Sequence, residues 1–381
     1  MTPTNQGVEP PGCDRRAGVA RVRPGGIHPP ALRVLIPVSE DSLGRSGAAD
    51  AGPHRNREGG AVGETVAELG EFGMISRIAE SIGTDTRGVV TLGIGDDAAV
   101  MNLGGATIAS VDTMVEGRHY RPEWCGAQEV GRRAAAAAMT DIAAMGGVPR
   151  ALLVSLAIPS DTPAQWVSEL VAGLTEEAAV AGATLAGGDL VAAENTCVSV
   201  TALGALPGPG PVTRAGAQVG DVVAIAGRQG WAAAGLTVLS RGFRSPRALV
   251  AAYQVPTPPY PSGPEAAAAG ATAMIDVSDG LLADLRHLAV ASDVLIDVDP
   301  DQLPVPDQLL ETSSAFNVDP LTWILAGGDD HALVATFPED AALPAMFSRI
   351  GRALGPDTQG AGVAVNGRLW SGRGGHDHFK G

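Results

Sequence analysis

From residue 64 onward the chain alternates between segments with a helical apolar period and short apolar runs bounded by glycine, whereas residues 1–63 show neither pattern. In 68–82, Phe72, Ile75, Ile78 and Ala79 recur at helical spacing and Gly83 ends the pattern, which predicts a helix. A strand follows at 107–114, and a long Ala-rich helix at 127–145 is stopped by Gly146, Gly147 and Pro149. Residues 152–158 and 197–206 read as strands, with a helix at 163–181 between them. Beyond the PGPGP run at 207–211, strands are predicted at 221–226, 294–298 and 331–337, and helices at 230–240 and 279–291. This order predicts an α/β (α+β) protein of two domains, 64–207 and 208–381, divided at the proline–glycine run. Residues 1–63 are rich in Pro, Gly, Arg and Ser. They read as a disordered extension, or as a spurious one from a start codon placed too far upstream.

Composition narrows the chemistry. At 381 residues with 45% apolar side chains, the chain can bury a sizeable core. A formal net charge of −16 argues against a nucleic-acid-binding face. Lys380 is the sole lysine, so the chain holds no Schiff-base lysine, P-loop lysine or protein-kinase strand lysine. Cys13, Cys125 and Cys197 are far apart and form no C-x-x-C pair, so no disulfide framework or zinc knuckle is expected and a cytoplasmic setting fits. No apolar run approaches the ~20 residues of a membrane helix. The apolar run at 31–38 follows Pro29 and Pro30 and lacks a small-residue cleavage pattern, so it is not read as a signal peptide.

The acidic residues change the picture most. They recur beside glycines or at strand ends: Asp96-Asp97 in GIGDD, Asp112 in SVD, Asp189 in GGD, Asp276 and Asp279 in DVSDG, and Asp329-Asp330 in GGDD. Any one of these could simply be a turn. As a set they suggest places where backbone approaches a ligand closely and carboxylates offer hard oxygen to Mg²⁺. Asp141 lies on the Ala-rich helix, on the stripe of Ala134, Ala137, Ala138, Ile142 and Met145 that should face the core. A buried carboxylate there needs a cation, an arginine or a set of donors. Clustered aspartates with almost no lysine suit a polyphosphate handled through several Mg²⁺ ions, with catalysis by positioning and charge neutralisation.

The ordered motifs GEFGMISRI (70–78), GIGDDAAV (93–100), SVDTMVEGRHY (110–120), MTDIAAMGGVP (139–149), VTRAGAQVGD (212–221), IDVSDGLLADLRHLA (275–289) and GGDDHAL (327–333) resemble the thiamine-monophosphate kinase family. The resemblance runs from about Glu68 to Phe379. It implies the PurM-like fold of the aminoimidazole-ribonucleotide-synthetase-like ATP-binding superfamily, with N-terminal domains paired across a homodimer. It also implies an ATP-dependent phosphorylation of thiamine monophosphate to thiamine diphosphate with several Mg²⁺ ions. Carried over by motif, Asp97, Ser110, Asp112, Asp141, Asp189, Asp276 and Asp279 are expected as metal ligands. Gly188, Asp189, Arg214 and Ser278 are expected at ATP, with the Gly188–Asp189 turn against its phosphates. His119, Asp329 and His376 are expected at the acceptor substrate.

Four positions depart from the family pattern. Asp329 stands where GGED has a glutamate, Leu190 where a threonine commonly follows GGD, Val111 where a hydroxyl residue often precedes Asp112, and His376 where an aromatic would stack on thiamine. The alternatives are an amidine-forming synthetase of the same superfamily and a catalytically silent nucleotide- or Ca²⁺-binding module. The SVDTMVEGRH segment matches the kinase better than the synthetase, and no EF-hand spacing supports the calcium version.

Overall fold

The computed structural model describes residues 64–83, 88–92, 94, 99–208, 210–356 and 360–371. Segment 1–63, Asp96, Asp97 and His376 lie outside the described residues.

The first half starts with helix α1 (Val66–Ile82). Its first turn is closed by a capping box, in which Thr65 Oγ1 accepts from the Glu68 N–H and the Glu68 carboxylate accepts from the Thr65 N–H at 2.7 Å. A small hairpin follows, β1 (Val90–Leu92) and β2 (Val100–Met101). Then come β3 (Thr107–Val115), α2 (Ala127–Ala144), β4 (Val148–Ile158), α3 (Ala164–Val180), β5 (Thr184–Ala192) and β6 (Cys197–Ala205). The four longer strands form a sheet in the order β3-β6-β4-β5. Only β4 and β5 are parallel, and α3 is the crossover that joins them.

The second half comprises β7 (Val222–Ala226), α4 (Trp231–Ser240), α5 (Arg247–Gln254), α6 (Ser262–Ala268), β8 (Ala273–Val277), α7 (Leu281–Ser292), β9 (Leu295–Val298), α8 (Asp307–Phe316), α9 (Pro320–Ala326), β10 (Ala332–Phe337), β11 (Phe347–Leu354), β12 (Gly362–Val365) and β13 (Arg368–Leu369). Its seven-stranded sheet runs β13-β12-β9-β11-β7-β10-β8, antiparallel except for β12 beside β9. Strands β7 and β10 and the edge strand β8 are buried along their whole length, because helices cover the sheet. One apolar cluster runs from Met74 and Met139 through Ala224 and Met274 to Phe337, so both halves share a core. Helix α2 lies within it and is buried on nearly all sides, which its run of alanines permits. Among the described residues, no helix is long and apolar enough to cross a membrane.

Two local readings differ from the sequence expectation. Gly188 and Asp189 lie inside β5, not in a turn. A Cβ on Gly188 would come within 2.0 Å of the Val154 carbonyl oxygen, so glycine lets β5 lie against β4 where a turn was expected. Ser110 and Asp112 lie in the middle of β3, not at its end. The short helices α5 and α8 escaped the periodicity reading because each spans only two or three turns after a proline, Pro246 or Pro306.

Candidate active site

Alternation along β3 decides which side chains can meet. Ile108 and Met114 are buried against the core, so Ser110 and Asp112, at even offsets from them, share the face that α2 covers. Val111 is 63% exposed and points to the opposite face. The α2 side chain that meets this face is Asp141, whose Oδ2 accepts from Ser110 Oγ at 2.5 Å.

Next to this contact opens a cleft of about 950 Å³. Asp112, Arg133 and Asp141 come to it from the first half. Asp276, Ser278 and Asp279 come from the end of β8 and the loop after it, and Asp329 and His331 from the turn before β10. His119 also lines the cleft, and its Nδ1 accepts from the Val115 N–H at 2.9 Å, so a neutral ring carries its proton on Nε2. Thus Asp112, Asp141, Asp276, Ser278, Asp279, His119 and Asp329 are brought together as the sequence suggested, with Ser110 just behind them.

Gly188, Asp189 and Arg214 are not among the residues lining this cleft. Across the sheet, Thr113 pairs with Ser199, Ser199 with Ser155, and Ser155 with Asp189. Directly paired residues point the same way, so Asp189 lies on the face of Val111 and Thr113, opposite Asp112. Arg214 is exposed in the loop before β7, where its carbonyl oxygen accepts from Ser292 Oγ.

The electrostatics of the acidic wall are tense. Burial pushes the Asp141 carboxyl up to about 6, and the nearby Asp276 and Asp112 carboxylates push the same way against the Ser110 hydrogen bond. Asp284, on the first turn of α7, is raised to about 7 by burial and by Asp276, although its Oδ2 accepts from the Asp279 and Gly280 N–H groups. Burial works against a charge on His331, yet the Asp276 carboxylate, 3.4 Å from its Nδ1, holds its pKa above the ordinary histidine value.

These oxygen donors fit Mg²⁺. Among the described residues, no three His, Cys, Asp or Glu side chains surround a common point. Mg²⁺ usually takes only one or two carboxylates and completes its octahedron with water and substrate phosphates, so the open arrangement is compatible with it. The mutual repulsion at Asp141 and Asp276 is the strain a cation relieves.

Two groups escaped the sequence reading. Arg133 lies two turns before Asp141 on α2, so the spacing could have shown it on the same side. His331 follows the GGDD turn, and nothing local marks it, because its partner Asp276 belongs to another strand.

Residues 95–206 match the family model for the N-terminal domain of AIR synthase related proteins. This makes residues 95–206 a domain of the AIR-synthase-related class, within an α/β chain whose two larger sheets flank the acidic cleft. Over 83% of its length the chain is 45% identical to thiamine-monophosphate kinase of Mycobacterium tuberculosis (strain CDC 1551 / Oshkosh), covering 93% of that protein. The structure superposes with a TM-score of 0.68 on thiamine-monophosphate kinase from Stenotrophomonas maltophilia K279a, at 30% identity, over 79% of this chain and 98% of that one. With AaThiL complexed with AMPPCP and TMP the TM-score is 0.67, at 30% identity, over 81% of this chain and 98% of that one. The chain belongs to the thiamine-monophosphate kinase family.

Proposed function

We propose that this protein transfers the γ-phosphoryl group of ATP to thiamine monophosphate, releasing thiamine diphosphate and ADP. The observation that carries the reading is the meeting of Asp112, Asp141, Asp276 and Asp279 on one cleft, in a chain that spans nearly the whole of a thiamine-monophosphate kinase. A terminal phosphate oxygen of thiamine monophosphate attacks the γ-phosphorus in line. The bond from that phosphorus to the bridging oxygen breaks, and its electron pair leaves with ADP. A phosphate monoester has its second pKa near 6, so at neutral pH the attacking oxygen is already ionised and no general base is needed. The side chains therefore bind and orient. Ser278 orients ATP, His119 and Asp329 hold the acceptor, and His331 steadies Asp276.

Asp112, Asp141, Asp276 and Asp279 would hold Mg²⁺, with Ser110 fixing Asp141 from behind. Bound there, the ion supplies the positive charge that phosphate oxygens require. Asp97 and Asp189 are further proposed ligands, and Gly188, Asp189 and Arg214 further proposed ATP contacts. We also propose a cytoplasmic homodimer in which the open face of the four-stranded sheet is the paired surface. On that face Val111 is 63% exposed and Val191 46%.

The test is chromatographic, with purified protein, ATP, Mg²⁺ and thiamine monophosphate. Equimolar thiamine diphosphate and ADP, both abolished by a chelator, are expected. ADP without thiamine diphosphate would overturn the choice of acceptor.

A further inference from the structure

Arg133 stands on α2 just before a run of five alanines, 134–138, and its own side chain is 3% exposed. A charge so placed must be met by partners. One of its terminal nitrogens, Nη2, lies 2.7 Å from Asp329 Oδ2. The other, Nη1, donates to the backbone oxygen of Tyr253 on α5, and the guanidinium stacks on the Tyr253 ring at 4.9 Å. The Tyr253 ring in turn meets Trp124 edge-on, with centroids 5.9 Å apart. Arg133 is thus clamped from below and presents one nitrogen to Asp329.

Asp329 is fixed from its other side by backbone. It adopts φ 67°, and its N–H donates to the Ser278 carbonyl oxygen at 2.9 Å. The preceding Gly328 lies so close that a Cβ there would be 2.0 Å from the same oxygen. The side chain itself remains 49% exposed on the cleft. Without a partner, that carboxylate could turn among rotamers or add to the negative charge of the Asp276–Asp279 wall. Held by Arg133, it keeps a fixed place in the cleft beside the Ser278–Asp279 turn.

We infer that Arg133 is a positioning residue for the acceptor. It holds the Asp329 carboxylate where it receives the cationic ring and amino group of thiamine monophosphate, and it does not contribute to holding ATP. This role rests on the reaction proposed above. A carboxylate with one oxygen engaged by an arginine still has acceptor capacity for an amino group and retains attraction for a cationic ring.

Steady-state kinetics of the wild type, Arg133→Met, Arg133→Lys, Asp329→Asn and the double variant test it. Arg133→Met is expected to raise KM for thiamine monophosphate by about tenfold while KM for ATP stays within about twofold. Arg133→Lys should recover part of the loss, because a point charge replaces a planar fork. The double variant should be no worse than Asp329→Asn alone, since Arg133 acts through Asp329. If Arg133→Met does not fold, the double variant, which leaves no uncompensated charge, carries the comparison with Asp329→Asn. Equal rises in both Michaelis constants, or losses that multiply in the double variant, would overturn the role of Arg133 while leaving the reaction intact. Absence of thiamine diphosphate with the wild type would overturn the reaction and this role together.

Discussion

Replacing Asp330 with asparagine removes a buried negative charge and keeps the shape of the side chain. Asp330 is 4% exposed; its Oδ1 accepts from the Ala232 N–H at 2.9 Å in the first turn of α4, and its Oδ2 has no partner. Burial pushes its carboxyl up to about 7, against the Ala232 and Gly230 N–H groups, which favour the charged form. In the unfolded chain the same group titrates near 4. The native state therefore holds this proton more tightly than the unfolded state does. The stability it contributes is fully present below about pH 4 and is lost as pH rises through about 7. The gap is about three pH units at about 1.4 kcal/mol each, so the wild type loses up to about 4 kcal/mol by pH 8.

Asparagine does not titrate and keeps a carbonyl oxygen for the Ala232 N–H, so the variant escapes that loss. Asp141 and Asp284 also titrate with raised pKa values, but they do so in both proteins, and the difference isolates Asp330. Urea unfolding without divalent cations, at about pH 5, 6.5 and 8, is the assay. The stability of the variant relative to the wild type should rise by about 2–3 kcal/mol between about pH 5 and about pH 8, with unchanged denaturant slopes. A constant difference at all three pH values would refute the reasoning, because it would mean that Asp330 is ionised in the folded protein throughout that range.

Asp141→Asn should lower turnover by at least about a hundredfold while the melting transition stays cooperative, because the shape remains and the charge that Mg²⁺ needs is gone; near-wild-type activity would take Asp141 out of the site. Excess chelator should stop formation of thiamine diphosphate, and added Mg²⁺ should restore it; an undiminished rate in chelator would refute the metal requirement. Deleting residues 1–63 should leave kcat and both Michaelis constants within about twofold. A soluble but inactive truncation would show that the segment contributes to the site.

What could be read from the sequence followed from local period. Asp141 stood out because an acid interrupts a run of alanines, and the prediction that its stripe is buried agrees with Ala134, Ala138 and Ile142, each at most 2% exposed. The strands at 107–114 and 331–337 and the helix at 127–145 were legible for the same reason, since each has a clean period and a glycine or proline near its end. Register was not legible. Asp112 and Asp189 look equivalent as short acidic motifs, yet they lie on opposite faces of one sheet, because β5 pairs with β4 so that Asp189 stands beside Ser155. A shift of one residue would have moved Asp189 to the other face, and nothing within GGDL encodes that shift. Arg133 was hidden differently. Its spacing from Asp141 was visible, but an arginine on a helix is ordinarily solvated, and the partner that explains it lies on the GGDD turn of the second half.

The distribution of charge within the cleft bears on why a metal is needed at all. Arg133 is engaged by Asp329, and Arg121 packs over the Trp124 ring at 4.8 Å. The acidic wall holds Asp141, Asp276 and Asp279, and both Asp141 and Asp284 are pushed toward protonation chiefly by burial and then by Asp276. A polyphosphate brought against that wall by protein groups alone would add negative charge to carboxylates that already repel one another. Protonating Asp141 and Asp284 would ease the repulsion without giving the phosphates a counter-charge. A divalent cation does both at once, which is why chelation should abolish transfer at neutral pH and why added protons should not substitute for Mg²⁺. Activity in chelator that rises as pH falls through about 6 would show protonated carboxyls sufficing, and would remove the metal from the argument.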